Sequence, residues 1–373
     1  MNVRTTLRLY AADLHYPEDL QVHTAASGRV ASLSARYLEI VRSDGFRGIG
    51  EVRANITYLS HLPEDAVDPA IIDLCGNLSW DAEPEDILAA TQGFQTERPH
   101  VATAAVENAL VEGMARSRNI PVAQWLGGEW RKGVGTNQCL FWSPDERFDR
   151  LAKRFLAEGF RQIKVRIAIG AFEHDLVRLK RLRELAGPDV SIAVDANGAW
   201  EADDAITKLR ALEPIGLSYI EQPTKPGDWP AFRKAVASTS IPLMVDEGLA
   251  SDTDVDELCC IGPVALAHLK IVKLGGPSAV VKAMKRFDEA GVGVMIGQMN
   301  EGAMATAITI HCVMALQPRY AELYGCYGLL DDVTQGVSYS GGQVFTQAGP
   351  GLGVTFDAAR CRTVWTQEFG AKR

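Results

Sequence analysis

Three acidic residues follow three short apolar segments at nearly equal spacing. Asp195 follows SIAV, Glu221 follows LSYI and Asp246 follows LMV, and 26 and 25 residues separate them. This spacing is typical of one strand–helix unit, and the carboxyl ends of neighbouring parallel strands meet at one rim. Each acid alone would fit an exposed loop or a helix N-cap. Three in register instead predict a site for one divalent cation, because buried carboxylates repel one another and oxygen ligands suit Mg²⁺.

Basic residues lie on both sides of this acidic series. Lys164 and Arg166 alternate along one segment and therefore share a face, while Lys270 lies in a later segment, AHLKIV. Burial and a nearby cation lower the pKa of a lysine, so Lys270 is our candidate for a general base. A structural ion pair of Lys270 with Asp246 or Glu247 is the alternative. Arginine stays protonated, which casts Arg166 as an electrostatic partner rather than a base.

Further polar residues near the segment ends are weaker candidates for substrate contacts, because ordinary loop residues have the same composition. They are His23, Asn197, Gln298, Asn300, Glu301 and Glu322. Lys273 lies three residues beyond Lys270, so strand alternation predicts that it faces away from the site. It is expected at the surface or behind the metal ligands.

The elements that must position these residues change character near residue 130. Residues 35–52 suggest an antiparallel hairpin and residues 102–116 a helix, which together indicate an α+β region. From Asn137 onwards, short apolar strands alternate with helices, which predicts parallel strands joined by right-handed crossovers. The predicted strands are 138–142, 162–167, 191–194, 217–220, 243–245, 267–272, 293–296 and 320–323. Eight strands favour a closed α/β barrel, and no GxGxxG motif supports a dinucleotide-binding sheet.

The overall composition narrows the classes of partner. The net charge of −9 over 373 residues argues against nucleic acid or an anionic membrane as the main partner. No apolar run reaches the length of a membrane span, and the N-terminal residues are too polar for a signal peptide. The seven cysteines are irregularly spaced, which is typical of reduced thiols in the cytoplasm. We therefore expect a cytoplasmic protein that acts on a small molecule.

Five segments resemble the motifs of the enolase superfamily, within its muconate-lactonising and mandelate racemase subgroup. They are KVR, DANGAW, EQP, DEG and LKIVKLGGP, in the family's order and near its spacing. The resemblance spans most of the chain. It implies a modified (β/α)8-type TIM barrel over 131–339 and an α+β capping domain over 1–130, completed by 340–373. It also implies one Mg²⁺ ion held by Asp195, Glu221 and Asp246, with Lys270 as an acid/base group, and a homo-oligomeric assembly.

One departure from the family's pattern bears on the reaction. The family usually has a second lysine where Arg166 stands, as the acid/base group opposite Lys270. We therefore expect α-proton abstraction from a small carboxylate substrate, followed by β-elimination, as in a dehydratase, or by cycloisomerisation. The alternatives are a two-base racemase or epimerase of an amino-acid or hydroxy-acid derivative with Lys164 as second base, and a non-catalytic binding protein.

Overall fold

The computed structural model describes residues 3–94 and 96–370. The N-terminal part contains β1 (Thr5–Leu14), β2 (Val22–Thr24), β3 (Gly28–Val30), β4 (Leu33–Arg42), β5 (Arg47–Arg53), α1 (Thr57–Ser60), α2 (Glu64–Gly76), α3 (Pro84–Gly93), α4 (His100–Ser117) and α5 (Val122–Trp125). The central part begins with β6 (Val134–Gly135), β7 (Gln138–Leu140), α6 (Asp145–Ala157), β8 (Gln162–Arg166), α7 (Phe172–Ala186), β9 (Ser191–Asp195), α8 (Ala202–Leu212), β10 (Ile220–Glu221), α9 (Trp229–Val236) and β11 (Leu243–Val245).

The central part continues with α10 (Asp252–Ile261), β12 (Ala265–Lys270), α11 (Ile271–Leu274), α12 (Pro277–Ala290), β13 (Gly293–Gly297), α13 (Ala303–Leu316) and β14 (Tyr320–Glu322). The last elements are β15 (Thr334–Gln335), β16 (Val337–Ser340), β17 (Gln343–Thr346), β18 (Thr355–Phe356) and β19 (Arg362–Phe369). Among the described residues, no helix combines the length and the apolarity needed to cross a membrane.

An antiparallel sheet in the order β19-β1-β4-β5 forms the N-terminal domain together with α4. The last strand of the chain thus lies beside the first one. Helix α4 is rich in alanine and buried along most of its length. Gly50 of β5 allows this helix to approach, since a Cβ there would lie 2.6 Å from the backbone nitrogen of Ala109. The close packing places the end of β5 and the start of α1 over the barrel.

Eight parallel strands, β7 to β14 in sequence order, form the barrel sheet. A helix follows each of the first seven strands. The N–H of Asn137 donates to the carbonyl of Ala321 at 3.2 Å, which links the last strand to the residues before the first. The predicted α/β barrel with an α+β cap is therefore confirmed. The Trp142 N–H, after β7, donates to the His23 carbonyl, and the Gly302 N–H, after β13, donates to Glu51 of β5, so the carboxyl ends of these strands face the N-terminal domain.

The sixth barrel strand ends earlier than its apolar pattern predicts. Strand β12 stops at Lys270, and the next residues form the single turn α11, which closes at Gly275 with φ 94°. Positive φ is accessible to glycine at little cost, so the chain reverses direction there. This turn changes the direction of the side chains that follow Lys270.

Candidate active site

The three acids for which the sequence predicts a metal site lie together at the carboxyl rim of the barrel. Asp195 ends β9 and pairs in register with Glu221, which ends β10, and Asp246 directly follows β11. They are 0%, 0% and 2% exposed, respectively. The backbone N–H of Asn197 donates to Asp195 Oδ1 at 2.9 Å and fixes that carboxylate. The structure therefore brings the predicted acids to one buried place.

The cations of β8 are held on one side of these acids by several partners. Lys164 is 0% exposed; its Nζ donates to both oxygens of Glu221 at 3.2 and 3.4 Å and forms an ion pair with Glu322. It also lies 3.7 Å from Asp195 Oδ2. Arg166 forms an ion pair with Asp195 through the same oxygen. Lys164 is thus surrounded by three carboxylates.

The cation of β12 has fewer partners on the opposite side. Lys270 Nζ forms an ion pair with Asp246 Oδ2, and no second carboxylate among the described residues lies within ion-pair distance of it. The alternative that Lys270 pairs with Asp246 is therefore present in the structure, together with its position at the acidic cluster. The ion pair and a role as a base are compatible for Lys270. Asp246 can hold one side of the amine while the other side exchanges a proton.

The expected orientation of Lys273 is wrong. Its Nζ donates to Asp246 Oδ1 at 2.9 Å, to the Asp246 carbonyl at 2.5 Å and to the His268 carbonyl at 2.8 Å. The prediction assumed that the strand continues, whereas the turn of α11 returns the side chain towards the barrel axis. Lys273 is buried and holds Asp246 from behind.

Burial and neighbouring charges set the protonation of the acids. Burial raises the pKa of Asp195 to about 6 and also raises that of Glu221, against the effect of Arg166 and Lys164. Burial would likewise raise the pKa of Asp246, but Lys270 and Lys273 hold it well below its usual range. Two of the three acids therefore resist ionisation without more positive charge.

The far acid of the cluster behaves like Asp246. Burial would raise the pKa of Glu322, but the charges of Lys164 and Arg166 act against it and the pKa is lowered to about 2. Asn137 Nδ2 also donates to Glu322 Oε2 at 2.9 Å. Glu322, a candidate for substrate contact in the sequence, is an ion-pair partner of Lys164 in the structure.

A histidine in the barrel interior joins the two sides. His268 Nδ1 lies 3.1 Å from Glu221 Oε1, and the ligand atoms of Glu221, His268 and Glu322 lie within 4.8 Å of one another. Burial and Lys270 hold the pKa of His268 well below 6.5, so its ring is neutral. Gly297 makes room for it, because a Cβ at that position would overlap the ring.

The remaining candidates divide between the site and its surroundings. Asn197 Nδ2 donates to Glu247 Oε1 at 2.8 Å, next to the acids. The His23 ring packs edge-on against Trp142 at 5.0 Å, in the β2–β3 hairpin. Asn300 Nδ2 donates to Tyr16 Oη at 2.9 Å. The hairpin thus contacts the residues after β7, and the Asn300 loop contacts the segment between β1 and β2.

Two other candidates point away from the acids. Gln298 Nε2 donates to Thr306 Oγ1 at 2.9 Å, and Glu301 Oε2 accepts from the Met299 N–H at 3.1 Å. Both side chains lie towards helix α13 and the N-terminal domain. The structure therefore does not bring Gln298 and Glu301 to the acidic cluster.

Sequence reasoning missed two residues that complete the cluster. The Tyr324 hydroxyl lies 3.4 Å from Arg166 Nη2, and Gln222 Oε1 accepts from the N–H groups of Asp246 and Gly248 at 2.9 and 3.0 Å. Tyr324 lies two residues after Glu322, so strand alternation would have indicated the shared face. Gln222 was visible in the EQP motif, but its partners on the next strand were not.

The donor set fits a divalent cation. Asp195, Glu221 and Asp246 offer only oxygen ligands, and burial together with neighbouring acids raises the pKa of Asp195 and Glu221 in spite of the nearby cations. Five buried acids (Asp195, Glu221, Asp246, Glu247 and Glu322) lie with four cations (Lys164, Arg166, Lys270 and Lys273). Clustered carboxylates that offer only oxygen atoms are the ligands that Mg²⁺ prefers.

Comparisons with known proteins agree with this geometry. The family model described as "Enolase C-terminal domain-like" matches residues 147–360. Muconate cycloisomerase 1 of Pseudomonas putida is 28% identical over 359 residues, which is 92% of this chain and 92% of that protein. The L-Ala-D/L-Glu epimerase of Bacillus subtilis (strain 168) is 28% identical over 259 residues, 68% of this chain and 70% of that one.

A solved structure shows the same architecture. It is the muconate lactonizing enzyme of Pseudomonas fluorescens complexed with muconolactone, with a TM-score of 0.88 and 25% identity over 95% of this chain and 96% of that one. The similarity covers both the barrel and the N-terminal domain.

Proposed function

This chain is an enzyme that belongs to the enolase superfamily, in the muconate-lactonising and mandelate racemase subgroup, and on that premise we propose that it abstracts the α-proton of a small carboxylate substrate with Lys270 as the principal base. The observation that carries the proposal is the order of charges across the rim. Cations of β8 lie on one side of three buried acids, and Lys270 of β12 lies on the other.

Lys270 is the group on this rim best placed to exchange a proton. Its amine has one carboxylate partner, Asp246, which Lys273 holds from the opposite side. In the metal-free protein the carboxylates of Asp246 and Glu221 outweigh burial and keep the pKa of Lys270 raised. A cation that draws Asp246 away from Lys270 removes that effect, and the amine then becomes a better base.

We assign Asp195, Glu221 and Asp246 as the residues that would hold Mg²⁺. When bound, the ion would supply positive charge that stabilises the negative charge developing on the substrate carboxylate as the α-proton leaves. Arg166 and Lys164 add fixed positive charge on the side away from Lys270. The backbone N–H of Asn197 holds the Asp195 carboxylate, and Gln222 Oε1 holds the backbone of Asp246.

The structure supports a reaction with a single base. Lys164 is enclosed by Asp195, Glu221 and Glu322, and Arg166 keeps its proton at ordinary pH. After proton removal, the intermediate loses a β-leaving group. In a cycloisomerisation, a second carboxylate of the substrate instead adds to a conjugated double bond, and protonated Lys270 gives its proton to the intermediate, so that no atom is gained or lost. Cycloisomerisation is the reaction named for one relative that aligns over 92% of this chain.

Epimerisation is the second candidate, because the epimerase of Bacillus subtilis is equally identical over its shorter alignment. It requires Lys164 to leave its carboxylates and reach the second face of the substrate. Incubation of muconates, hydroxy acids and acylated amino acids with Mg²⁺ in D₂O, followed by NMR and chiral chromatography, separates the two.

A single deuterated stereoisomer, or a cyclised or dehydrated product, supports the single-base reaction. Deuterium in both stereoisomers supports epimerisation. Mg²⁺ binding without exchange for any of these acids would identify a binding protein and contradict both proposals.

A further inference from the structure

A small cavity lies between the N-terminal domain and the barrel, away from the acidic rim. Its polar lining comes from Glu51 of β5, Asn108 of α4, Thr309 of α13, and Gln298 and Glu301 after β13. The cavity has a volume of about 10 Å³, which is room for one water-sized particle. It therefore suits a single small occupant.

The two amides of this cavity use their donors elsewhere. Asn108 Nδ2 donates to the carbonyl of Glu51 at 3.0 Å, and Gln298 Nε2 donates to Thr306 Oγ1 at 2.9 Å. These bonds determine which amide atom is oxygen. Asn108 Oδ1 and Gln298 Oε1 are buried with no hydrogen-bond partner in the part of the chain that the structure describes, in residues that are 3% and 4% exposed. Leaving such acceptors unsatisfied is costly.

The two carboxylates also lack a cation. Glu51 accepts from the N–H groups of Gly302 and Ala305 at 2.7 and 3.0 Å, and neither Glu51 nor Glu301 forms an ion pair with any described residue. The nearby Arg53 donates to Asn55 and to the Asn300 carbonyl instead. Arg53 and Lys270 act on Glu301 only from beyond ion-pair distance. Four oxygen-bearing side chains therefore line one cavity without a cation in contact with them.

We propose that this cavity is a second cation site, independent of the active site, in which the carboxylates of Glu51 and Glu301 and the amide oxygens of Asn108 and Gln298 bind one hard cation such as Na⁺, K⁺ or Ca²⁺. Oxygen ligands of mixed charge are those that hard cations prefer. The ligands come from strand β5, helix α4 and the loop that follows β13. The bound ion fastens the N-terminal domain to the loop that carries Asn300 at the barrel mouth.

A water molecule or a protonated glutamic acid is the competing occupant. A water donates two hydrogen bonds and leaves the two carboxylates uncompensated. A proton on Glu301 satisfies one amide oxygen and removes one charge. Burial raises the pKa of both glutamates, so a proton competes with a cation for this cavity. The test must therefore separate cation binding from protonation.

The experiment measures the melting temperature of the Glu221→Gln protein, whose active site is impaired, with chelator and without Mg²⁺. Chloride salts of Na⁺, K⁺ and Ca²⁺ are compared at constant ionic strength with tetramethylammonium, which is too large for the cavity. At a hundredfold excess over Kd, the fitting cation should raise the melting temperature by about 3 °C. The order of the three salts identifies the ion.

Two further variants in the same background decide the site. Glu301→Gln and Gln298→Met should each abolish the cation-dependent shift. Glu107→Gln should keep the shift. It alters a buried glutamate outside the proposed site, which lies in α4 and accepts from the Ser278 N–H. Equal shifts in tetramethylammonium, or a full shift in both Glu301→Gln and Gln298→Met, would overturn the proposal. The cation-dependent shift in melting temperature does not depend on catalytic activity. The proposed function and the proposed cation site can therefore fail separately.

Discussion

The two sides of the acidic rim are built from the same residue types but differ in how tightly they are held. On the β8 side, Lys164 contacts Glu221, Glu322 and Asp195, and Arg166 contacts Asp195. On the β12 side, Lys270 and Lys273 share the single carboxylate of Asp246. The first side resembles a fixed ion network, whereas the second leaves one amine with a single partner. The difference indicates that proton exchange and electrostatic support are assigned to opposite sides.

The largest test of this asymmetry is removal of the proposed base. Lys270→Ala should lower the rate of α-proton exchange by about 10²–10⁴-fold, the usual contribution of a general base. NMR in D₂O with Mg²⁺ present measures the rate. Arg166→Lys serves as the contrasting variant, because it keeps the charge and adds an exchangeable amine on the other side. Unchanged exchange in Lys270→Ala would remove Lys270 from the mechanism.

Stability should reveal the same asymmetry. Lys164→Met leaves Glu221 and Glu322 buried without their shared cation and should destabilise the fold by about 3–5 kcal/mol. Lys270→Met should cost less, because Lys273 still contacts Asp246. Urea denaturation without Mg²⁺ measures both. Equal losses in the two variants would show that the β8 side is not the more tightly held one.

The rim was readable from the sequence because its residues follow apolar strands at a regular spacing. Asp195, Glu221 and Asp246 each come directly after such a strand, and barrel topology alone brings strand ends together. The apolar pattern does not indicate the helical turn that begins at Ile271, so it predicts the wrong direction for the Lys273 side chain. The pairing of Lys164 with Glu322 was not readable either, because it joins strands distant in sequence whose relative position depends on barrel closure.

A substitution at Gly297, which lies between the two sides of the rim, should have a smaller effect on stability. A Cβ at Gly297 would overlap the His268 ring and approach Glu322. Gly297→Ala should therefore destabilise the protein by about 1–3 kcal/mol, as overpacking in a dense core does. Gly135→Ala is the matched control, since nothing lies within 4 Å of a Cβ at that position. If both variants melt at the same temperature, His268 has space that the structure does not show.

The smallest expected effect is the pH dependence of the Lys164–Glu322 pair. Lys164 and Arg166 lower the pKa of Glu322 to about 2, against an ordinary value near 4.5. Its contribution to stability is complete above the unfolded pKa and is lost as pH falls towards the folded one. About 1 kcal/mol of it should be gone by pH 3.5.

Glu322→Gln lacks this titration, so the stability gap between the native protein and this variant should narrow by that amount between pH 7 and 3.5. Urea denaturation at both pH values measures the gap. Adding Glu322→Gln to the Lys270→Met protein should give a stability gap that narrows by the same amount, because the Lys270–Asp246 pair lies on the other side of the rim. A gap that stays constant would mean that Glu322 does not depend on Lys164 for its charge, and that the β8 side is held by packing rather than by its ion pairs.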